Sequence, residues 1–253
     1  MPIRAISFDL FDTLVDLLSE TIPREEYQGR TVPRMLSRVH ALVAEKNSLD
    51  FGEYLRVLKE VDGGFRESHI AQGREISSLT RFETILERLG IGDPELAHSM
   101  VGVHMDGLYD QVRILDHHRA VLSELKEGSR LAVCSNFSHS ETAYRVLEAA
   151  GLGELMDAVL ISDAVGFRKP APEIFRATLD ALQVEPGELL HVGDRLGADV
   201  AGAAALGIRT VWIVRRVQDS EAALAARPES APDFQISDLA ELPALVRDAG
   251  GIS

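Results

Sequence analysis

The sequence predicts an α/β fold, in which a parallel sheet is covered by helices on both faces and carries an inserted all-helical domain. Short apolar runs alternate with segments of helical spacing through most of the chain, a pattern typical of parallel sheets. One long stretch, residues 17–112, has helical spacing without a convincing strand. The 253 residues, 45% of them apolar, are enough for one larger domain or two modest ones.

The predicted core begins with a strand and then alternates. Short, mostly apolar runs predict buried strands at residues 3–8, 130–134, 157–161, 189–192 and 209–214. Helical spacing lies between them at residues 116–126, 139–150, 172–183 and 197–206. Near the end, PDFQISDLAELPALVRD predicts a short edge strand and a closing helix. The core is therefore expected to comprise residues 1–16 and 113–253.

The segment 17–112 is predicted to be a helical cap domain, as in VPRMLSRVHALVAEK. It leaves the core directly after the first strand and returns before the next one. We expect it to lie over that end of the sheet, where a cap can exclude water from a site. A simple stabilising bundle is the alternative.

Charge and composition limit the partners and the compartment. The chain has 26 Lys and Arg against 40 Asp and Glu, a formal charge of -14, which disfavours binding to nucleic acid or to an anionic membrane. A small anionic substrate must therefore meet local cations or a metal ion. Cys134 is the single cysteine and is expected to be buried in the core. One cysteine cannot form an internal disulfide, which fits a reducing cytosol. No export signal or long apolar span is visible, so we expect a cytoplasmic protein.

Four predicted strands end in polar residues. These are Asp9, the pair Ser135 and Asn136, the pair Ser162 and Asp163, and the pair Gly193 and Asp194. In a parallel sheet such ends share one edge, where open α/β proteins bind ligands. A helix cap could explain any one of them, because Ser, Asp and Asn are favoured there. Four polar strand ends together favour a ligand-binding site over four separate helix caps.

A magnesium ion would relieve the repulsion between the carboxylates at this edge. Asp9 and Asp194 repel each other unless one is protonated or a cation lies between them. Mg²⁺ prefers oxygen ligands and takes one or two protein carboxylates. Asp199, near a helix start, can support such a site, and Gly193 would let the chain pass close to the ion.

Lys169 supplies a candidate cation in the stretch GFRKPAPEIF. Prolines stiffen its approach to a proline-started helix, so its ammonium group would be rigidly presented. Such a group can neutralise both a carboxylate nucleophile and the charge that develops on a transferred group. Arg168 could share this role, and an ordinary surface lysine is the alternative. Ser135 and Asn136 can donate hydrogen bonds to the same group.

These residues together resemble the four ordered motifs of the haloacid dehalogenase-like hydrolases: DLFDT, the Ser135 strand end, Lys169 before a proline, and GDRLGAD followed by VAGAAALGI. The resemblance implies a Rossmann-like core with an inserted helical cap. It implies that Asp9 is the nucleophile of an aspartyl intermediate that water then hydrolyses, and that Ser135 and Lys169 hold the transferred group.

The resemblance also implies the metal ligands and exposes one departure. Asp9, the backbone carbonyl of Phe11 and Asp194 would bind Mg²⁺, with Asp199 in support. Phosphatases of the family usually carry a second aspartate at the position of Phe11, which protonates the leaving group. That role is worth about two to four powers of ten in rate. Asp12 either replaces this acid or caps the turn.

The missing acid leaves more than one function open. Carbon–halogen hydrolases of the family need no leaving-group proton, but they typically lack the Gly-Asp metal motif, and they have a tyrosine where this chain has Phe175. The intact GDRLGAD therefore favours a magnesium-dependent phosphatase acting on a small phosphorylated metabolite. The alternatives are a 2-haloacid dehalogenase and a catalytically weak phosphate-binding protein.

Several further residues are candidates with weaker support. Thr13 and Asn136 in the core, with Arg24 and Arg30 in the cap, are the candidate substrate-binding residues. Arginine suits planar recognition of carboxylate or phosphate, although each could be a solvated helix residue. For His117 and His118, capping or surface exposure is favoured over metal binding. Either a monomer or a homodimer is compatible with the sequence.

Overall fold

The chain forms two compact units in the structure, a computed structural model that describes residues 2–248. One unit comprises Met1–Asp16 and Ile114–Ser253, of which residues 2–16 and 114–248 are described, and the other is Leu17–Arg113. The first contains the large sheet, and the second is mainly helical.

In chain order, the strands are β1 (Ala5–Phe8), β2 (Asp16–Leu17), β3 (Arg24–Tyr27), β4 (Arg30–Pro33), β5 (Val112–Arg113), β6 (Arg130–Ser135), β7 (Ala158–Ile161), β8 (Leu189–Gly193), β9 (Arg209–Ile213) and β10 (Phe234–Ile236). The helices are α1 (Arg34–Lys46), α2 (Phe51–Ser68), α3 (Ser78–Arg88), α4 (Pro94–Tyr109), α5 (His118–Lys126), α6 (Ser140–Ala149), α7 (Ser162–Val165), α8 (Pro172–Leu182), α9 (Ala201–Ala204), α10 (Ser220–Ala225) and α11 (Leu242–Asp248). A π-helical turn, Leu196–Val200, leads into α9.

The large sheet has the order β10-β9-β8-β1-β6-β7 among the described residues, and each pair of neighbouring strands in it is parallel. This confirms the predicted α/β class and the predicted strands. β1 lies in the middle, with Phe8 aligned to Val133 of β6 and to Val192 of β8. The residues that follow these three strands therefore lie at one edge of the sheet.

The central strands are apolar because both of their faces are covered. Ala5, Ile6 and Phe8 of β1 are completely buried. On one side, α8 packs Ile174 and Phe175 into the same core as β1 and β6. Burying one such side chain contributes about 1.5–3 kcal/mol. Cys134 is also buried there, as predicted, and is not in a disulfide.

The unit Leu17–Arg113 is not all-helical, which corrects the sequence prediction. Besides α1–α4 it contains an antiparallel hairpin of β3 and β4. Gln28 and Gly29 turn the chain with φ of 45° and 75°, which is the positive pair that a type I′ hairpin turn needs. In the interior of this unit, the Tyr27 hydroxyl and His40 Nδ1 are 2.8 Å apart. No helix within residues 2–248 is long and apolar enough to cross a membrane.

Candidate active site

Asp9 is the first residue after the central strand β1, and the sheet itself fixes it. Its backbone N–H donates to the Val192 carbonyl at 2.9 Å, which continues the ladder with β8. The N–H of Leu10 donates to Asp9 Oδ1 at 2.8 Å. The residue is 7% exposed. A carboxylate held in this way is buried but still reachable at the sheet edge.

Three carboxylates meet at this edge. Asp9, Asp194 and Asp199 each offer an oxygen atom, and these atoms lie within 4.8 Å of one another. Asp194 directly follows β8, and the indole N–H of Trp212 holds its backbone carbonyl at 2.8 Å. The structure therefore brings together the three acids that the sequence predicted as a metal site.

Lys169 lies between two of these acids. Its Nζ is 3.0 Å from Asp9 Oδ1 and 2.6 Å from Asp199 Oδ1, and its side chain is 1% exposed. The side-chain amide of Asn136 holds the Lys169 backbone in place. Asn136 Nδ2 donates to the Lys169 carbonyl at 2.9 Å, and the Lys169 N–H donates to Asn136 Oδ1 at 2.7 Å. Asn136, predicted to bind substrate, thus has a positioning contact that the sequence did not reveal.

Both members of the buried ion pair are charged. Burial lowers the pKa of Lys169, but Asp199 and Asp9 together raise the pKa above its ordinary value. Burial raises the pKa of Asp199, but Lys169 and His191 bring it below its usual range. Asp199 Oδ2 also accepts a hydrogen bond from the Arg195 N–H at 2.9 Å. Asp199 therefore works mainly as an anchor for Lys169.

His191 is a member of the site that the sequence analysis missed. It lies inside β8 with its Nε2 3.3 Å from Asp199 Oδ1 and its Nδ1 2.8 Å from the Ser7 hydroxyl. Burial lowers its pKa, so the ring is neutral and orients Asp199. The only signal in the sequence is a histidine within the apolar run LLHVG.

The ionised form of Asp194 is poorly balanced by the described part of the protein. Its Oδ1 is buried and has no hydrogen-bond partner in the described part of the chain. Burial, followed by repulsion from Asp9 and Asp199, raises its pKa to about 8. Oxygen donors with excess negative charge fit a hard divalent cation such as Mg²⁺. On this observation, the residues suit the ion that the sequence predicted.

Two hydroxyl groups near Asp9 also lack a hydrogen-bond partner within residues 2–248. Ser135 ends β6 next to β1, and Thr13 lies in the turn that follows Asp9. Ser135 Oγ and Thr13 Oγ1 are buried and make no hydrogen bond to any described residue. A buried unsatisfied polar group costs about 1–3 kcal/mol. Such hydroxyls are suited to donate to the oxygens of an anionic ligand.

At position 11 the protein presents an aromatic ring. The rings of Phe11 and Phe137 pack with centroids 4.7 Å apart. The neighbouring Asp12 adopts a left-handed backbone conformation, with φ of 61°, and its Oδ1 is 2.9 Å from Arg216 Nε. The carboxylate that could replace the missing acid is thus engaged by an arginine from the end of β9.

Gly193 is required by the close approach of Asp199. A Cβ atom at position 193 would lie 2.3 Å from Asp199 Cγ, a distance that non-bonded carbon atoms do not reach. The sequence analysis expected a glycine here so that the chain could pass an ion. The structure gives another reason, which is space for the anchor of Lys169.

The two arginines predicted to bind substrate lie in the unit Leu17–Arg113. Arg24 is on β3, and its Nη2 donates to the Thr31 carbonyl of the same hairpin at 2.8 Å. Arg30 begins β4 and is exposed. Their contact with substrate stays a prediction.

Comparison with known proteins places this chain in a family. A model of the haloacid dehalogenase-like hydrolases matches residues 3–207. The glyceraldehyde 3-phosphate phosphatase of Pyrococcus abyssi (strain GE5 / Orsay) is 30% identical over 212 residues, which is 83% of this chain and 81% of that protein.

Two solved structures share the fold. A 2-haloacid dehalogenase from Pseudomonas syringae pv. Tomato DC3000 superposes with a TM-score of 0.71 at 22% identity, covering 98% of this chain and 99% of the other. A HAD-hydrolase of Bacillus subtilis bound to magnesium has a TM-score of 0.60 at 21% identity, covering 97% and 99%. With the family match along most of its length, the chain belongs to the haloacid dehalogenase-like hydrolases.

Proposed function

We propose that this hydrolase is a magnesium-dependent phosphatase that acts on a small phosphorylated metabolite through an aspartyl-phosphate on Asp9. The supporting observation is the unbalanced charge at Asp194. Asp9, Asp194 and Asp199 share a buried site with the ammonium of Lys169, and Asp194 Oδ1 has no hydrogen-bond partner among residues 2–248. A bound divalent cation would supply the missing charge. Cleavage of a carbon–halogen bond does not need that cation.

The proposed metal ligands combine the clustered carboxylates with the backbone carbonyl that the family resemblance implies. Asp9 and Asp194 would hold Mg²⁺ together with the backbone carbonyl of Phe11, while Asp199 supports the site through Lys169. When bound, the ion would neutralise the phosphoryl group and orient it for attack. The magnesium in the Bacillus subtilis relative is consistent with this assignment.

The chain's own residues account for the nucleophile and the anion site. Asp9 Oδ1 accepts from the Leu10 N–H and pairs with Lys169, so Oδ2 is the oxygen that would attack phosphorus. The new Oδ2–P bond forms as the bond from phosphorus to the leaving oxygen breaks. The hydroxyls of Ser135 and Thr13 would donate to the phosphoryl oxygens. Water then attacks phosphorus, the Oδ2–P bond breaks, and inorganic phosphate leaves while Asp9 returns as the carboxylate.

The leaving group is restricted by Phe11. An aromatic ring cannot donate a proton, and Asp12 is paired with Arg216. The enzyme should therefore favour leaving groups that depart as stable anions, such as phenolates. The name of the Pyrococcus abyssi relative adds a three-carbon phosphate ester to the class of substrates to test.

A 2-haloacid dehalogenase is the second candidate, because Phe11 is compatible with a halide leaving group that takes no proton. A phosphate-binding protein with little turnover is the third. The decisive experiment measures phosphate release from an aryl phosphate with and without Mg²⁺, with Asp9→Asn as the inactive control, and chloride release from a 2-chloro acid in parallel.

Magnesium-dependent phosphate release that Asp9→Asn abolishes would support the phosphatase. Chloride release without a metal requirement would replace it with the dehalogenase. Phosphate binding without either reaction would support the third candidate.

A further inference from the structure

A second cluster of polar residues begins at His118, the first residue of α5. The sequence analysis expected capping or exposure here, and for His118 this is wrong, because the residue is only 1% exposed. Its Nδ1 lies 2.8 Å from the Leu14 carbonyl oxygen. Since a carbonyl oxygen only accepts, Nδ1 carries the proton and Nε2 carries the lone pair.

That lone pair has no partner. His118 Nε2 is buried and makes no hydrogen bond to any residue in the described range 2–248. Leaving such an atom unsatisfied costs about 1–3 kcal/mol. A histidine that binds a metal commonly donates its other ring N–H to a carbonyl, which fixes the tautomer. His118 already has that arrangement.

His117 and Asp238 complete a set of three donors. His117, His118 and Asp238 each offer one ligand atom, and these atoms lie within 4.8 Å of one another. His117 Nε2 is 2.9 Å from Asp238 Oδ1, and the two side chains are 48% and 37% exposed. An ion can therefore reach His117 and Asp238 from solvent, and movement of these two exposed side chains would admit it to the buried Nε2 of His118.

The surroundings of His118 and Asp238 shift the pKa of each toward the form that binds a metal. Burial, then His117 and Arg215, lower the pKa of His118. Burial raises the pKa of Asp238, but hydrogen bonds from the Ala240 N–H and His117 bring it below its ordinary value. Arg215 opposes a cation here, although its guanidinium pairs with Asp16 at 2.5 Å.

We propose that His117, His118 and Asp238 form a second metal site, for a borderline divalent ion such as Zn²⁺. Two imidazoles and one carboxylate suit Zn²⁺, whereas the all-oxygen cluster around Asp9 suits Mg²⁺. Ligands about 2.1 Å from a tetrahedral Zn²⁺ lie about 3.4 Å apart. Shifts of up to about 1.4 Å by His117 and Asp238 would bring the three donors from within 4.8 Å of one another to that spacing. Because His118 holds the Leu14 carbonyl, the ion would tie α5 and the segment before α11 to the loop that follows Asp9.

The test titrates the full, chelator-treated chain with Zn²⁺ by calorimetry in excess Mg²⁺, with elemental analysis of the bound metal. Wild-type protein should bind one equivalent. His117→Ala removes a donor at an exposed position, and Asp238→Asn removes the charge but keeps an oxygen for the Ala240 N–H. Each should weaken Zn²⁺ binding by at least about tenfold.

His98→Ala is the matched control, because His98 is an exposed histidine on α4, and it should bind as the wild type does. The proposal is overturned if the wild type takes up no Zn²⁺. It is equally overturned if both variants bind unchanged, or if Zn²⁺ uptake is lost in Asp194→Asn and retained in His117→Ala. These outcomes do not depend on phosphatase activity.

Discussion

Lys169 Nζ lies 2.6 Å from Asp199 Oδ1, and both side chains are 1% exposed. Asp199 is in turn held by the Arg195 N–H and by His191, and the Lys169 backbone is held by Asn136. The ammonium that contacts Asp9 is therefore fixed from both ends. The position of the Lys169 ammonium therefore depends on Asp199, His191, Arg195 and Asn136 as well as on Asp9.

Lys169→Met should destabilise the protein by about 3–5 kcal/mol, because it leaves the buried Asp199 carboxylate without its counter-charge. Adding Asp199→Asn should recover part of this loss, since the uncompensated charge is then gone. Urea unfolding of the two single variants and the double variant measures both effects. Equal stability of Lys169→Met and wild type would contradict the role assigned to this pair.

Gly193→Ala should disrupt the site, because its Cβ would lie 2.3 Å from Asp199 Cγ. We expect a loss of about 1–3 kcal/mol from overpacking and at least a tenfold fall in kcat/KM as Lys169 loses its anchor. Gly92→Ala is the control, because a Cβ there meets no atom within 4 Å. Steady-state kinetics and thermal melts measure kcat/KM and Tm for both variants. Equal values for Gly193→Ala and Gly92→Ala would refute the steric argument.

Phe11→Asp should restore a proton donor and raise turnover of alkyl phosphates relative to aryl phosphates. General acid catalysis is worth about two to four powers of ten, and the lost contact with Phe137 costs about 0.5–1.5 kcal/mol. Phe11→Asn is the control, because asparagine has nearly the same shape as aspartate but has no carboxyl group to donate a proton. The measurement is the ratio of kcat/KM for the two substrate classes. An unchanged ratio in Phe11→Asp would mean that position 11 does not limit the leaving group.

The contribution of Asp194 to the stability of the metal-free protein should fall as pH rises from about 4 to about 8. Asp194 has a folded-state pKa of about 8, against an ordinary value of 3.8, so the folded protein binds the extra proton across that window. Mg²⁺ needs the ionised carboxylate and must displace this proton. The gain in Tm from a fixed Mg²⁺ concentration should therefore be larger at pH 9 than at pH 6.

Asp194→Asn is the control for this effect, because it keeps the shape and removes the titration. It should lose the Asp194 part of the pH dependence and most of the response to Mg²⁺. A Tm gain from Mg²⁺ that persists undiminished in Asp194→Asn would place the ion elsewhere.

The strands of the large sheet and the acids at their ends were predictable from the sequence, for a physical reason. Parallel strands buried on both faces appear as short apolar runs, and their carboxyl ends share an edge. Asp9, Ser135 and Asp194 could therefore be placed together without coordinates. Lys169 could be expected near them only through its motif.

The missed features depend on contacts between distant segments. Arg216 pairs with Asp12 although no motif links them, and His191 is hidden in an apolar strand. Asn136 bonds to the Lys169 backbone, a contact that composition cannot indicate. The β3–β4 hairpin was missed because its strands are only four residues long, too short for a two-residue period to stand out against helical spacing.

The central place of β1 in the sheet has a consequence for synthesis on the ribosome. β1 emerges first, but its neighbours β6 and β8 begin at Arg130 and Leu189. The unit Leu17–Arg113 is continuous in sequence, so it can fold while β1 still has both edges unpaired. Apolar strands that stay unpaired until distant segments are synthesised are prone to aggregate. Production of this protein should therefore be most sensitive to temperature and chaperones during the interval before residue 193 is made.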